Sequence, residues 1–267
     1  MTSFSRLKLE IRSPAVRLTL ARPDVRNAFD DGLIAELTEA IEQIRAAHEA
    51  DPEKSPRALI LTGEGAAFCA GADMNWMRRS AKYTRDENEA DARKMASMLR
   101  ALDELPIPTI ARVNGAALGG GMGLLACCDI GVALDSAQFG FTEARLGIAP
   151  AVISAFVLPK IGASAARRYF LTAEIFNAAE AKAIGLVHEV VSAAELDAAV
   201  DRFVVALAGN GPRAVSAAKL LIREALGRSR KDTIDNAVRA ISTLRASPEG
   251  QEGLGAFLEK RAPSWKR

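Results

Sequence analysis

Apolar and polar positions alternate over residues 7–11 and 15–20, with Ser13 and Pro14 between them, and this pattern predicts a β-hairpin. Arg22, Pro23 and Asp24 then predict a turn. Leu33, Ile34, Leu37, Ile41 and Ile44 recur at helical spacing, with Asp30 and Asp31 as candidate N-caps. Residues 58–61 read as a short buried strand ending at Gly63, and residues 86–105 as a long helix closed by Pro106 and Pro108. A strand at 109–113, a glycine-rich loop, a helix-like run at 124–128 and a strand at 129–134 follow. Repeated strand-then-helix order predicts a mainly parallel sheet with crossover helices.

Beyond about residue 150 the pattern becomes helical, over 153–161, 164–171, 178–184, 193–207, 212–226 and 232–244. One short strand at 186–191 interrupts it. The chain thus divides into a β-rich core, 1–192, and a helical region, 193–267, with no low-complexity linker and no visible repeat. The helical region shows apolar faces without a clear core, which points to packing against a neighbouring subunit. A self-packed bundle is the alternative.

The length of 267 residues allows one large or two small domains. A net charge of +2 argues against nucleic acid or an anionic membrane as partner. No apolar stretch approaches the roughly 20 residues of a membrane span. Residues 1–6 lack the apolar centre of a signal peptide. Cys69, Cys127 and Cys128 read as small buried residues of a cytoplasmic protein, and His48 and His188 are too few and too far apart for a zinc centre.

Three segments carry candidate chemistry. Between Asn114 and Gly123 lie five glycines in ten residues, flanked by a strand and a helix. Glycine allows close backbone approach, and free N–H groups at a helix N-terminus favour negative charge. Such a loop either holds a phosphate or stabilises an anion formed during a reaction. It is not a P-loop, because no Gly-Lys-Ser/Thr follows, and contiguous Gly119, Gly120 and Gly121 in mid-chain make a poor dinucleotide fingerprint. The second segment, 68–74, combines small residues with Asp73, a candidate cap for a helix over 74–80; a capped helix start is its plain alternative. Two such turns at the carboxyl edge of parallel strands can each aim one N–H at a single oxygen. That is an oxyanion hole for a thioester carbonyl becoming an enolate, each donor contributing ~2.7–4 kcal/mol. In the third segment Glu143 sits among apolar residues and a Gly/Pro turn. Partial burial raises a carboxyl pKa and suits it to general acid/base work. The alternatives are a carboxylate at a helix N-terminus or a partner for Arg145.

In order along the chain, 26–29, 68–73, 108–121, 128–130, 138–140, 143–150, 185–187 and 257–260 resemble the enoyl-CoA hydratase/isomerase (crotonase) family. The resemblance runs through nearly the whole chain. It implies an α/β fold, a crotonase-like spiral of repeated ββα units with a helical C-terminal trimerisation region, and trimers paired into hexamers. It implies a coenzyme A thioester as substrate and no separate cofactor. The oxyanion donors implied are the backbone N–H groups of Ala72 and Gly120, with Glu143 as the acid/base. Val25, Arg26, Ala28, Ala70, Ala72, Asp73, Met74 and Gly120 line the implied coenzyme path. Phe257 and Lys260 resemble the family's C-terminal contribution to that site, often a neighbouring subunit's, with Lys260 towards phosphate. An exposed lysine at a helix end is equally ordinary.

One departure stands out. Hydratases of this family usually carry a second glutamate three residues after the oxyanion glycine, where this chain has Gly123. A lone glutamate also resembles the family's isomerases. A narrower likeness, over 122–124, 127–129, 149–154 and 247–253, is to bacterial glutaconyl-CoA hydratases of the methylglutaconyl-CoA and gamma-carboxygeranoyl-CoA type. Those enzymes act in leucine and acyclic terpene breakdown on substrates with a distal carboxylate. A second acidic side chain would repel such a group, which is one expectation for why Gly123 is tolerated. Arg78, Arg145 and Lys160 are candidates by position for its cation, and Trp76 and Met77 for the acyl wall, with core packing as the alternative. The implied activity is hydration of an enoyl thioester; double-bond isomerisation is the runner-up. A non-catalytic RNA-binding or scaffold role rests only on Arg228, Arg230 and Lys231, which also read as a solvated helix end.

Overall fold

The computed structural model describes residues 4–266; Met1, Thr2 and Ser3 of the leader reading lie outside the described residues. The predicted hairpin is β1 (Leu7–Arg12) and β2 (Ala15–Leu20), paired antiparallel. Helix α1 (Asp31–Ala50) starts at Asp30, whose side chain accepts from Leu33 N. Its stripe of Leu33, Leu37 and Ile41 is wholly buried, each contributing about 1.5–3 kcal/mol.

Three ββα units follow. Strand β3 (Ala58–Gly63) leads to β4 (Ala67–Cys69) and then to α2 (Met74–Ser80) and α3 (Arg85–Asp103). Strand β5 (Thr109–Val113) leads to β6 (Ala116–Leu118) and α4 (Gly120–Cys127). Strand β7 (Ile130–Leu134) leads to β8 (Gln138–Gly140), a 3-10 turn (Glu143–Leu146) and α5 (Ala151–Thr172). The first strands of these units lie side by side in parallel, as do the second strands. With β9 (Ile175–Asn177), α6 (Ala178–Ala183) and β10 (Glu189–Val191) the orders become β1-β2-β3-β5-β7-β10 and β4-β6-β8-β9. The chain thus spirals, one strand per turn going to each sheet.

The second sheet is a finding beyond the hydrophobic pattern, which predicted one sheet. Its strands are three residues each, too short to show a period. The helix after the glycine run also begins at Gly120, not at 124, because the glycines themselves form its first turn. The two helices expected over 153–161 and 164–171 are the two arms of α5, separated by a break at Gly162 with φ 69°.

Helix α7 (Leu196–Ala208) falls on the C-terminal side of the 192/193 division, yet it packs on the first sheet. Leu196, Ala199, Val200 and Val204 meet Ala58, Ile60, Ile110 and Val132. Helices α8 (Pro212–Ala225), α9 (Arg230–Ala246) and α10 (Pro248–Leu258) bury only Pro212 and Ala256. Lys219 ties α8 to the core through Asp129 at 2.8 Å. Helix α10 was not read from the pattern, since Gly250, Gly253 and Gly255 weaken its helical signal. Its start is marked by Ser247, which accepts from Gly250 N, and by Pro248 in the first turn.

Candidate active site

Two chain segments far apart in sequence run side by side at the edge of the molecule. Ala70 N donates to Arg26 O at 3.0 Å, Phe29 N to Gly71 O at 2.7 Å and Asp73 N to Phe29 O at 2.8 Å. This zipper leaves Ala72 N as the amide that donates to no described residue. Asp73 closes the turn by accepting from Asn75 N and Trp76 N and pairing with Arg22 at 2.9 Å. Burial pushes its carboxyl pKa up, but the hydrogen bonds from Trp76, Asn75 and Arg22 outweigh it and hold the group below its ordinary value. Asp73 therefore stays ionised and fixes the start of α2.

The second turn is Gly119 to Gly120. Gly119 N donates to Gly140 O at 2.9 Å, and Gly119 itself has φ 49° and ψ −120°, a conformation that favours glycine. Gly120 opens α4 and its amide also donates to no described residue, as expected of a first-turn N–H. The two turns touch: a Cβ on Gly119 would lie 3.7 Å from Gly71 Cα and 3.5 Å from Glu143 Oε1.

Glu143 reaches this junction from the 3-10 turn ahead of α5. Its Oε2 is buried and bonds to no described residue. Burial pushes its pKa above the ordinary carboxyl value. It forms no pair with Arg145, whose guanidinium projects exposed and without a described partner. Two turns that each carry an unspent amide, and one carboxyl with a free oxygen, thus meet in one small region. Chemically, that arrangement can bind a carbonyl oxygen, stabilise negative charge on it and move a proton beside it.

The remaining site residues divide into two groups. Val25, Arg26, Ala28, Ala70, Ala72, Asp73 and Met74 lie along the zipper, with Val25, Arg26, Ala72 and Met74 exposed. Phe257 and Lys260 are not gathered to the Glu143 junction. They stand exposed at the end of α10, which packs chiefly on α9. Around the junction Met74, Leu146 and Ile148 are 64%, 61% and 61% exposed, an open apolar rim. Trp76 belongs to the main core; Met95 and Phe29 lie against Gly120.

Lys160 does not face the Glu143 junction. Its Nζ donates to Cys128 O at the far end of α4, about 12 Å from Gly120 at 1.5 Å per residue. Arg78 is held by Asn75 Oδ1 at 2.9 Å. Gly123 also has a packing reason of its own, since Ile153 and Leu99 fill the space beside it. The three cysteines are free and buried, and burial pushes the Cys69 and Cys128 thiols up to about 12.

Two positioning residues escaped the chemical reading of the sequence. Asn27, buried with φ 58°, accepts from Arg22 N and donates to Glu64 O and Ala67 O. Asn114 accepts from Gly63 N and Thr62 Oγ1 and donates to Gly65 O. Both lash loops to the strand edge that carries the site. An asparagine in a turn, tolerant of positive φ, was the signal available.

A family described as enoyl-CoA hydratase/isomerase matches residues 10–267. A crystal structure of an enoyl-CoA hydratase from Shewanella pealeana superimposes with a TM-score of 0.92 at 40% identity, covering 98% of this chain and 96% of that one. Crotonyl-CoA hydratase of Syntrophomonas wolfei is 31% identical over 97% of each chain. The mitochondrial methylglutaconyl-CoA hydratase of Mus musculus is 32% identical over 94% of this chain and 79% of that protein.

Proposed function

Because this chain belongs to the enoyl-CoA hydratase/isomerase family and has its crotonase fold, we propose that it hydrates an α,β-unsaturated acyl-CoA at the Ala72–Gly120–Glu143 junction. The observation that carries this reading is the contact of the two turns with each other and with the unpaired Glu143 carboxyl. The thioester carbonyl sits between Ala72 N–H and Gly120 N–H. Water adds its oxygen to C3, and charge develops on the carbonyl oxygen, where the two amides stabilise it. Glu143 takes the proton of the attacking water and delivers one to C2, so a single carboxyl serves as base and then as acid.

The preferred acyl group is a glutaconyl type, 3-methylglutaconyl or a larger homologue. Two things support it: the narrower sequence likeness and the methylglutaconyl-CoA hydratases among the relatives. Arg145 is the cation for the distal carboxylate, since it is exposed, unpartnered and two residues from Glu143. Val25, Arg26, Ala28, Ala70, Asp73 and Met74 line the coenzyme path. The apolar faces of α8–α10 dock on neighbouring copies, as a trimer or dimer of trimers, where Phe257 and Lys260 reach a coenzyme. Exposed Ile222, Val238 and Leu258, at 70%, 60% and 78%, support that docking. The narrow leucine-degradation role and a cytoplasmic setting belong to the same reading.

A second reading, double-bond isomerisation, is favoured by one observation: Gly123 stands where a second carboxylate would hold the water. A steady-state screen of crotonyl-, 3-methylcrotonyl- and 3-methylglutaconyl-CoA, scoring hydration against double-bond migration, tests both. Fastest hydration of 3-methylglutaconyl-CoA supports the proposal. Migration without water addition overturns it in favour of the isomerase.

A further inference from the structure

Helix α4 carries the Gly120 amide, yet it has no strongly polar side chain of its own. Residues 121–127 are buried, so van der Waals contacts surround it on its sides. Such contacts hold a helix laterally but give little that is directional along its axis. A side-chain hydrogen bond reaches the backbone of its closing residue, where Lys160 Nζ on α5 donates to Cys128 O, while Thr109 bonds the Cys128 thiol. Lys160 lies two turns beyond Ile153 on the same helix, and Ile153 abuts Gly123 in the first turn of α4. Helix α5 therefore grips α4 at both ends. The chain that carries Glu143 leads through Pro150 straight into α5. One helix thus sets the spacing between the carboxyl and the oxyanion amide.

The charges around Lys160 fit this task. Asp129 lies close, but it already accepts from Thr109 N and Thr109 Oγ1 and pairs with Lys219. Asp103, Cys127 and Cys128 complete the acidic and thiol neighbours, and His188 stands nearby. The Lys160 ammonium is left to the carbonyl of Cys128, the extended residue that closes the C-terminal end of α4. That end is about 12 Å from Gly120, so Lys160 touches no reacting atom.

We propose that Lys160 is a positioning residue: its ammonium at the carbonyl end of α4 fixes that helix along its axis and so aims Gly120 N–H at the thioester oxygen. This rests on the oxyanion reading of Ala72 and Gly120. The test uses full-length wild type, Lys160→Arg, Lys160→Gln and Lys160→Met. Two readouts are taken, steady-state kinetics and the isotope-edited infrared stretch of the thioester carbonyl in bound butyryl-CoA. Hydrogen bonds from an oxyanion hole lower that stretch. A misplacement near 1 Å costs roughly 10²-fold in rate. Lys160→Met is expected to lose about that in kcat with KM little changed and to relax the carbonyl shift. Lys160→Arg should restore both, and Lys160→Gln should fall between.

An unchanged carbonyl shift in Lys160→Met overturns the inference while leaving the oxyanion reading intact. Absence of any shift in wild type overturns the oxyanion reading itself. Failure of both neutral variants to fold makes Lys160 a residue of the fold rather than of the site, and overturns the inference as well.

Discussion

A Cβ placed on Gly123 of α4 would lie 2.5 Å from Ile153 Cγ2 on α5, so the two helices cross where no side chain fits unless Ile153 moves. Ile153 is β-branched and stiff about χ1, and Leu99 closes the same space at 3.3 Å. The glycine at the position where the resemblance implied a second glutamate therefore has a packing reason, and charge repulsion is not needed to explain it.

Gly123→Ala is expected to destabilise the protein by about 1–3 kcal/mol, the ordinary cost of overpacking. Ile153→Ala in the same chain should restore part of the loss. Thermal melts of the two single variants and the double variant measure the coupling. Strict additivity would show that the residues do not interlock.

Glu143→Gln should lower kcat by about 10²–10⁴-fold and leave KM for the acyl-CoA nearly unchanged. The replacement keeps the shape and removes the proton-transfer group. A variant with near wild-type kcat would remove Glu143 from the mechanism.

The same substitution should raise stability at neutral pH. Burial raises the Glu143 pKa in the folded state above its unfolded value. The folded chain therefore holds this proton more tightly, and stability falls as pH rises from the unfolded pKa through the folded one. Glu143→Gln is free of that loss. Its melting temperature should exceed wild type at pH 7, by roughly 2–4 °C for each kcal/mol relieved. The advantage should shrink as pH falls from the raised folded-state pKa toward about 4.3, the ordinary glutamate value, and be gone below it. Equal melting curves at every pH would show that the carboxyl is not strained by burial.

Arg145→Ala should raise KM for 3-methylglutaconyl-CoA roughly tenfold or more, the worth of a charge-assisted hydrogen bond, and leave KM for crotonyl-CoA unchanged. Equal effects on both thioesters would assign Arg145 to the coenzyme instead of the acyl end.

Asp73→Asn should lower stability at neutral pH and leave less of it to be lost on acidification. The wild-type carboxyl is held below its ordinary pKa by bonds to Trp76, Asn75 and Arg22, despite burial. Its contribution is present above the unfolded pKa and disappears as pH falls through the folded one. Stability curves of wild type and variant should therefore converge at low pH. Curves that stay parallel would deny Asp73 that role.

Much of the site was legible one residue at a time. Asp30, Asp73 and Pro212 mark helix starts through groups within three residues of them. The stripe Leu33, Leu37 and Ile41 finds its buried face because a helix repeats every 3.6 residues. Glu143 stood out as a carboxyl among apolar residues, and burial does raise its pKa. The two turns of the proposed oxyanion pair were less legible. A glycine run shows that backbone can approach something, without saying what.

What the sequence by itself determined are local properties: element types, caps, the buried stripes, and the membership carried by ordered motifs across nearly the whole chain. These depend on neighbours a few positions away, so a linear reading reaches them. Only the tertiary structure decided the second sheet, the contact of Gly71 with Gly119, the interlock of Gly123 with Ile153 and the placement of Lys160 at the carbonyl end of α4. Each of these joins groups some 30 or more positions apart, or strands three residues long. Neither a period nor a local hydrogen bond encodes such a meeting, and only packing in three dimensions brings it about.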